Sequence, residues 1–230
     1  VDGAAIQVPV GIDLVAIVVG ALLGGALAVR HAMAVTGVFV LAITTGLGGG
    51  LIRDTLLQEG TPIALTDRWY LITTIIAATV AFFFAQLIER FTLALIVLDA
   101  LALGLFTYVG AERAQLVGLP DVGIMFVGIA AATGGSIIRD LLLGDVPDML
   151  KPGVINGVAA VIGAIVFVVL LEFDVPSVVR LVVTVTVTAA LRWLALWRDW
   201  HAPVPIDMVA LVRRQRPRAA IDDRDGAGPT

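Results

Sequence analysis

Cysteine is missing altogether, which excludes disulfides, thiol nucleophiles and thiolate metal sites. Histidine occurs only twice, at His31 and His201, too far apart in the chain to suggest a His-rich metal cluster. Charge is scarce: Asp, Glu, Lys and Arg make up 15% of the 230 residues, against about 25% in soluble domains. The formal net charge of −4 points to neither an acidic nor a basic partner, so nucleic acid is not expected. Ser-His-Asp order, metal-ligand spacing and a P-loop are also absent, so no enzyme, cofactor or nucleotide site is expected, nor ATP-driven transport by this chain alone. The stretch ahead of the first apolar run is acidic rather than basic, unlike a cleavable signal peptide.

What is present is apolar length. Hydrophobic residues make up 59% of the chain, and the mean hydropathy is +1.01. They fall in runs of about 17–23 residues, the length of helix that crosses a hydrocarbon core of about 30 Å. Barrel strands would instead alternate over about 10 residues. The pattern predicts an all-α polytopic membrane protein with seven transmembrane helices, in contact with membrane lipid: Ile12–Val29, Val35–Leu57, Tyr70–Ile88, Phe91–Ala111, Val122–Leu143, Pro152–Leu171 and Val178–Trp197. Arg180 is positioned to snorkel near one end of the last span, and Trp193, Trp197 and Trp200 form an aromatic belt at the other.

Seven spans put the termini on opposite sides. Arg213, Arg214, Arg216 and Arg218 in the polar, flexible tail favour a cytoplasmic C-terminus and an outer N-terminus. The loops do not decide it: Arg30, Arg90, Arg139 and Lys151 would lie inside, and Arg53, Arg68, Arg113 and Arg180 outside.

The chain repeats itself. Gly48-Gly49-Gly50-Leu51-Ile52-Arg53-Asp54 resembles Gly134-Gly135-Ser136-Ile137-Ile138-Arg139-Asp140 at an offset of 86 residues, and the same offset carries Asp13 onto Asp99 and Gly24 onto Gly110. Gly60-Thr61-Pro62 resembles Asp145-Val146-Pro147 with a slip of one. Each unit is three spans long, and an odd number of spans turns the second copy over. The expected organisation is therefore a first repeat over 1–90, an inverted second repeat over 91–174, a seventh helix over 175–200 and the tail over 201–230. Inverted repeats are a common plan for transporters, with the path at the repeat interface.

The glycine runs have two physical uses. They let backbones pack closely, and they make a bend cheap, freeing carbonyls that line a water-filled path. Arg53, Asp54, Arg139 and Asp140 follow the runs toward the span ends, where interfacial anchoring is the simplest role. Neighbours on a helix point about 100° apart, so each Arg is not expected to pair with the Asp beside it. Topology instead puts Asp13 with Arg53 on one side of the membrane, and Asp99 with Arg139 on the other, suggesting one ion pair at the mouth of each half. For Asp13, attraction to the helix N-terminus is the alternative role. Thr44, Thr45, Thr133, Ser136 and Asn156 are candidates to line a path, although hydroxyls in spanning helices often bond their own backbone. Thr184, Thr186 and Thr188 alternate, which favours packing. The small residues over Gly20–Ala28 suit a helix contact within or between chains.

The doubled glycine-Arg-Asp motif, each copy followed by a Pro turn, resembles the prokaryotic trimeric intracellular cation channels, which share a duplicated "glycine transporter" domain. Asp99-Ala100-Leu101-Ala102-Leu103-Gly104-Leu105-Phe106-Thr107, followed by Gly110-Ala111-Glu112-Arg113-Ala114, is similar to that family's fourth helix. The resemblance covers about Gly11–Leu196. It implies a homotrimer in a prokaryotic cytoplasmic membrane, with a separate path for potassium or other monovalent cations (sodium included) through each protomer. Second and fifth helices kinked at Gly48, Gly49 and Gly50, and at Gly134 and Gly135, would line that path, and bound lipid is compatible with it. Ser136 departs from the pattern, standing where the first repeat has its third glycine. Arg113 stands where the family often has a lysine linked to gating in animal relatives, and an arginine there is bulkier and bonds differently. A secondary transporter of a small solute such as glycine is the alternative that inverted repeats equally allow.

Overall fold

The computed structural model describes residues 10–89, 92–150 and 156–197. Outside them lie Arg90, Lys151, Pro152, Trp200 and the whole tail from His201, as do the side chains of Asn156 and Trp197. The orientation argument from the tail arginines, part of the aromatic belt and the proline start of the sixth span therefore fall outside the described residues.

Among these residues the chain forms seven long α-helices and one short one, with a 3-10 turn over Asp148–Leu150: α1 (Val10–Arg30), α2 (Val35–Leu57), the single-turn α3 (Ile63–Thr66), α4 (Arg68–Glu89), α5 (Thr92–Leu116), α6 (Asp121–Leu143), α7 (Asn156–Glu172) and α8 (Ser177–Trp197). Five of the long helices are apolar over enough residues to cross a bilayer, and Arg68–Phe84 and Gly157–Glu172 are shorter apolar segments. The helices stop for a local reason. At Ala32, Gly118, Gly144 and Asp174 the backbone turns left-handed. The next amide then bonds back five residues: Met33 to Ala28, Leu119 to Ala114, Asp145 to Asp140 and Val175 to Leu170. This closure satisfies carbonyls that a helix end leaves open.

Small residues set the packing. A side chain on Gly24 would stand 2.5 Å from the Leu41 carbonyl, and one on Gly110 would stand 3.0 Å from the Val127 carbonyl. These two contacts, α1 on α2 and α5 on α6, are images of each other under the 86-residue shift. Across the halves, a side chain on Gly49 would run into the Ala131 carbonyl, and one on Gly135 would meet the Thr45 carbonyl at 2.9 Å. That pair is also self-corresponding, so the two halves meet on a pseudo-two-fold axis where α2 crosses α6. The glycine runs thus serve close packing, and α2 and α6 pass through them as unbroken helices. The Gly20–Ala28 stretch packs inside the chain: Gly20 and Gly24 against α2, and Gly25 against Ala81 of α4. Helix α8 packs on α5 and α7.

Candidate functional site

Asp13 opens α1 and Arg53 closes α2, so both stand at the same end of the bundle. Arg53 Nη1 donates to Asp13 Oδ1 at 3.1 Å, and both side chains are 1% exposed. Tyr70, at the start of α4, donates its hydroxyl to Asp13 Oδ2 at 2.8 Å. Arg113, from the end of α5 in the other repeat, lies 3.9 Å from that oxygen. Arg53 Nε reaches Asp54 Oδ1 at 2.7 Å, and Asp54 Oδ2 accepts the Ile63 amide at 3.0 Å, fixing the start of α3.

The second repeat builds the same arrangement at the other end. Arg139 Nη1 stands 3.4 Å from Asp99 Oδ1, and Arg139 Nε donates to Asp140 Oδ1 at 2.8 Å. Asp99 Oδ2 is held by Arg192 of α8, from Nε at 2.9 Å and Nη2 at 2.8 Å. Among the described residues each cluster contains two carboxylates and two guanidinium groups. The balance of charge matters, because one unpaired charge at a helix centre in a bilayer costs about 2.5–3.5 kcal/mol on insertion scales.

Several expectations change here. The adjacent Arg-Asp residues do pair, in both repeats. The 100° between successive side-chain directions separates Cβ atoms, but the long arginine stem curls back so that its Nε meets the neighbouring carboxylate. Arg53 and Arg139 are buried rather than anchored at an interface. Asp13 lies in the first turn of α1 and in the buried ion pair together. Arg180 does not snorkel: it bonds Glu112 at 3.2 and 3.3 Å and lies over the Phe167 ring at 5.5 Å. Burial inside the bundle gives it a carboxylate instead of water. The hydroxyls bond their own helices: Thr44 to Val40, Thr45 to Leu41, Thr133 to Ile129 and Ser136 to Thr133. Thr184 and Thr188 are buried, and Thr188 donates to the Thr184 carbonyl. Tyr70, Arg192 and the Glu112–Arg180 pair belong to the buried polar set without having been singled out in the sequence.

A cavity borders each cluster. One of about 100 Å³ is lined by Asp54, Leu57, Glu59, Gly60, Thr61, Ile63, Arg113 and Val117. The other, about 20 Å³, sits beside the second cluster between Gly20, Thr45, Asp99, Gly135, Ser136 and Arg139, with further apolar walls. That is room for a single water. The α2–α6 glycine crossing lies between the two charge clusters. Among the described residues no group of His, Asp and Glu is arranged to hold a metal ion.

A family model described as "Glycine transporter" matches residues 10–86 and again 96–172. The chain is 30% identical over 196 residues to the UPF0126 inner membrane protein YadS of Escherichia coli K12, across 84% of this chain and 93% of that protein. It is 38% identical over 139 residues to a UPF0126 membrane protein of Deinococcus radiodurans, across 60% of this chain and 65% of that one. Its fold is similar to the crystal structure of the TRIC trimeric intracellular cation channel orthologue from Rhodobacter sphaeroides, with a TM-score of 0.76, 33% identity and coverage of 82% of this chain and 97% of that chain.

Proposed function

This chain belongs to the Glycine transporter family, and we propose that it is a monovalent cation channel, permeable to potassium, with one path through each protomer. The observation that carries the reading is the pair of repeat-related clusters of paired charges buried inside spanning helices, each bordered by a cavity. Ionisable residues within spanning helices are rare and mark ion pathways, relays or counter-ion sites. The similarity to a solved trimeric cation channel supports the same reading and favours a homotrimer. The similarity to a bacterial inner membrane protein favours that membrane.

In this reading Asp54, Glu59 and Arg113 form the wider vestibule, and Asp99, Arg139 and Ser136 border the narrow one. The glycine crossing separates them as a constriction. A bend of α2 and α6 at Gly48–Gly50 and at Gly134 and Gly135 would part the two backbones and free carbonyls toward the gap. The orientation that goes with it is N-terminus out and C-terminus in the cytoplasm.

The test is single-channel recording of purified protein in a planar bilayer under a potassium chloride gradient. Discrete currents that reverse toward the potassium equilibrium potential are expected. The family's description favours a second reading, a carrier of a small solute such as glycine. Silent bilayers together with saturable, gradient-coupled glycine uptake into vesicles would overturn the channel in favour of that carrier.

A further inference from the structure

The two clusters are not equal. Asp13 satisfies its second oxygen with a neutral hydroxyl, Tyr70 at 2.8 Å, while the nearby cation Arg113 stays at 3.9 Å. Asp99 satisfies its second oxygen with a guanidinium, Arg192, whose two contacts at 2.9 and 2.8 Å are shorter than the 3.4 Å contact from Arg139. Arg192 belongs to the helix outside the duplication. Among the described helices α8 packs on α5 and α7 and makes no comparable contact with α2 or α6, so Arg192 is its reach into the charged end of the second repeat. Asp99 is the most exposed member of its cluster, at 17%, and it lines the small cavity with Ser136.

We propose that Arg192 is a positioning and selectivity-setting residue: by holding Asp99 it neutralises and narrows the second repeat's end of the path, so that α8 governs cation entry there. A charge-assisted fork holds a carboxylate more firmly and in a more fixed geometry than a hydroxyl does. Releasing it would take one positive charge from beside Asp99, which lines the cavity.

The inference builds on the channel reading, but access to the cavity is measurable without current. The chain has no cysteine, so S136C is a single reporter on the cavity wall. We expect R192Q to speed modification of S136C by a cationic methanethiosulfonate roughly tenfold or more, the ratio that follows from losing a charge-assisted hydrogen bond. Lysine keeps the charge but lacks the fork, so R192K should fall between the parent and R192Q, and it serves if R192Q does not yield monodisperse protein. Equal rates with and without the Arg192 substitution, or no modification in any of them, would overturn the inference. In parallel bilayers R192Q should shift the reversal potential toward greater cation selectivity, and an unchanged potential in conducting protein would also overturn it. Faster modification in protein that never conducts would support the role of Arg192 and count against the channel.

Discussion

At the scale of single residues, the clusters rank their own members. Arg53 touches both Asp13 and Asp54, so R53Q takes the bonded cation from two carboxylates at once. Breaking a buried pair in this way costs about 3–5 kcal/mol. D13N should cost less, because Arg53 keeps Asp54. Y70F removes one hydrogen bond to a charged oxygen, worth about 1.5–3 kcal/mol, and leaves the charges balanced. Equilibrium unfolding in detergent should place R53Q as the least stable of the three, and a Y70F protein as unstable as R53Q would contradict the assignment. The same geometry argues against charge swapping as a test of the Asp99–Arg139 pair. An arginine at position 99 would face Arg192, which now lies 2.8 Å from the Asp99 carboxylate. The neutral double change D99N with R139Q is the cleaner experiment, and it should be less destabilised than the sum of its single changes.

Helices bring a different question, what the glycines do. Gly49 and Gly135 sit against backbone carbonyls of the opposite half, whereas a side chain on Gly50 would meet only the Arg53 guanidinium at 3.8 Å. Bending alone would make the three positions alike. Packing predicts that G49A and G135A lower the unfolding midpoint, with overpacking of about 1–3 kcal/mol each. G50A should be neutral or gain up to about 1 kcal/mol from alanine's helix propensity. A midpoint series in detergent separates the two uses, and equal losses at all three positions would favour bending. The helices were legible in the sequence because a span must be long and apolar, and the predicted Val35–Leu57 has the bounds of α2. The crossing was not legible. A glycine reports that something is close, but not which carbonyl it approaches.

For the whole molecule, duplication made half of each cluster readable. Matching span ends by side of the membrane joined Asp13 to Arg53 and Asp99 to Arg139, and the same rule applied to Tyr70 and Arg113 would have found the rest of the first cluster. The same rule puts Arg192, near the end of α8, on the side of Asp99 and Arg139, but α8 has no counterpart at the 86-residue offset to draw attention to it. The pairing of neighbouring Arg and Asp was missed because it depends on side-chain reach rather than on backbone direction. The inversion itself makes a prediction that uses the absence of cysteine. Glu59, after α2, and Asp145, after α6, are exposed, unlike the buried arginines of the motif, and repeat symmetry puts them at opposite ends of the bundle. In intact cells an impermeant thiol reagent should modify one of E59C and D145C and reach the other only after permeabilisation. With the N-terminus outside, E59C is the one modified first. The reverse order would turn the whole protein over while leaving its symmetry intact. Modification of both from one side would mean that the second unit is not inverted, and the two charge clusters would then not stand at opposite ends of the bundle.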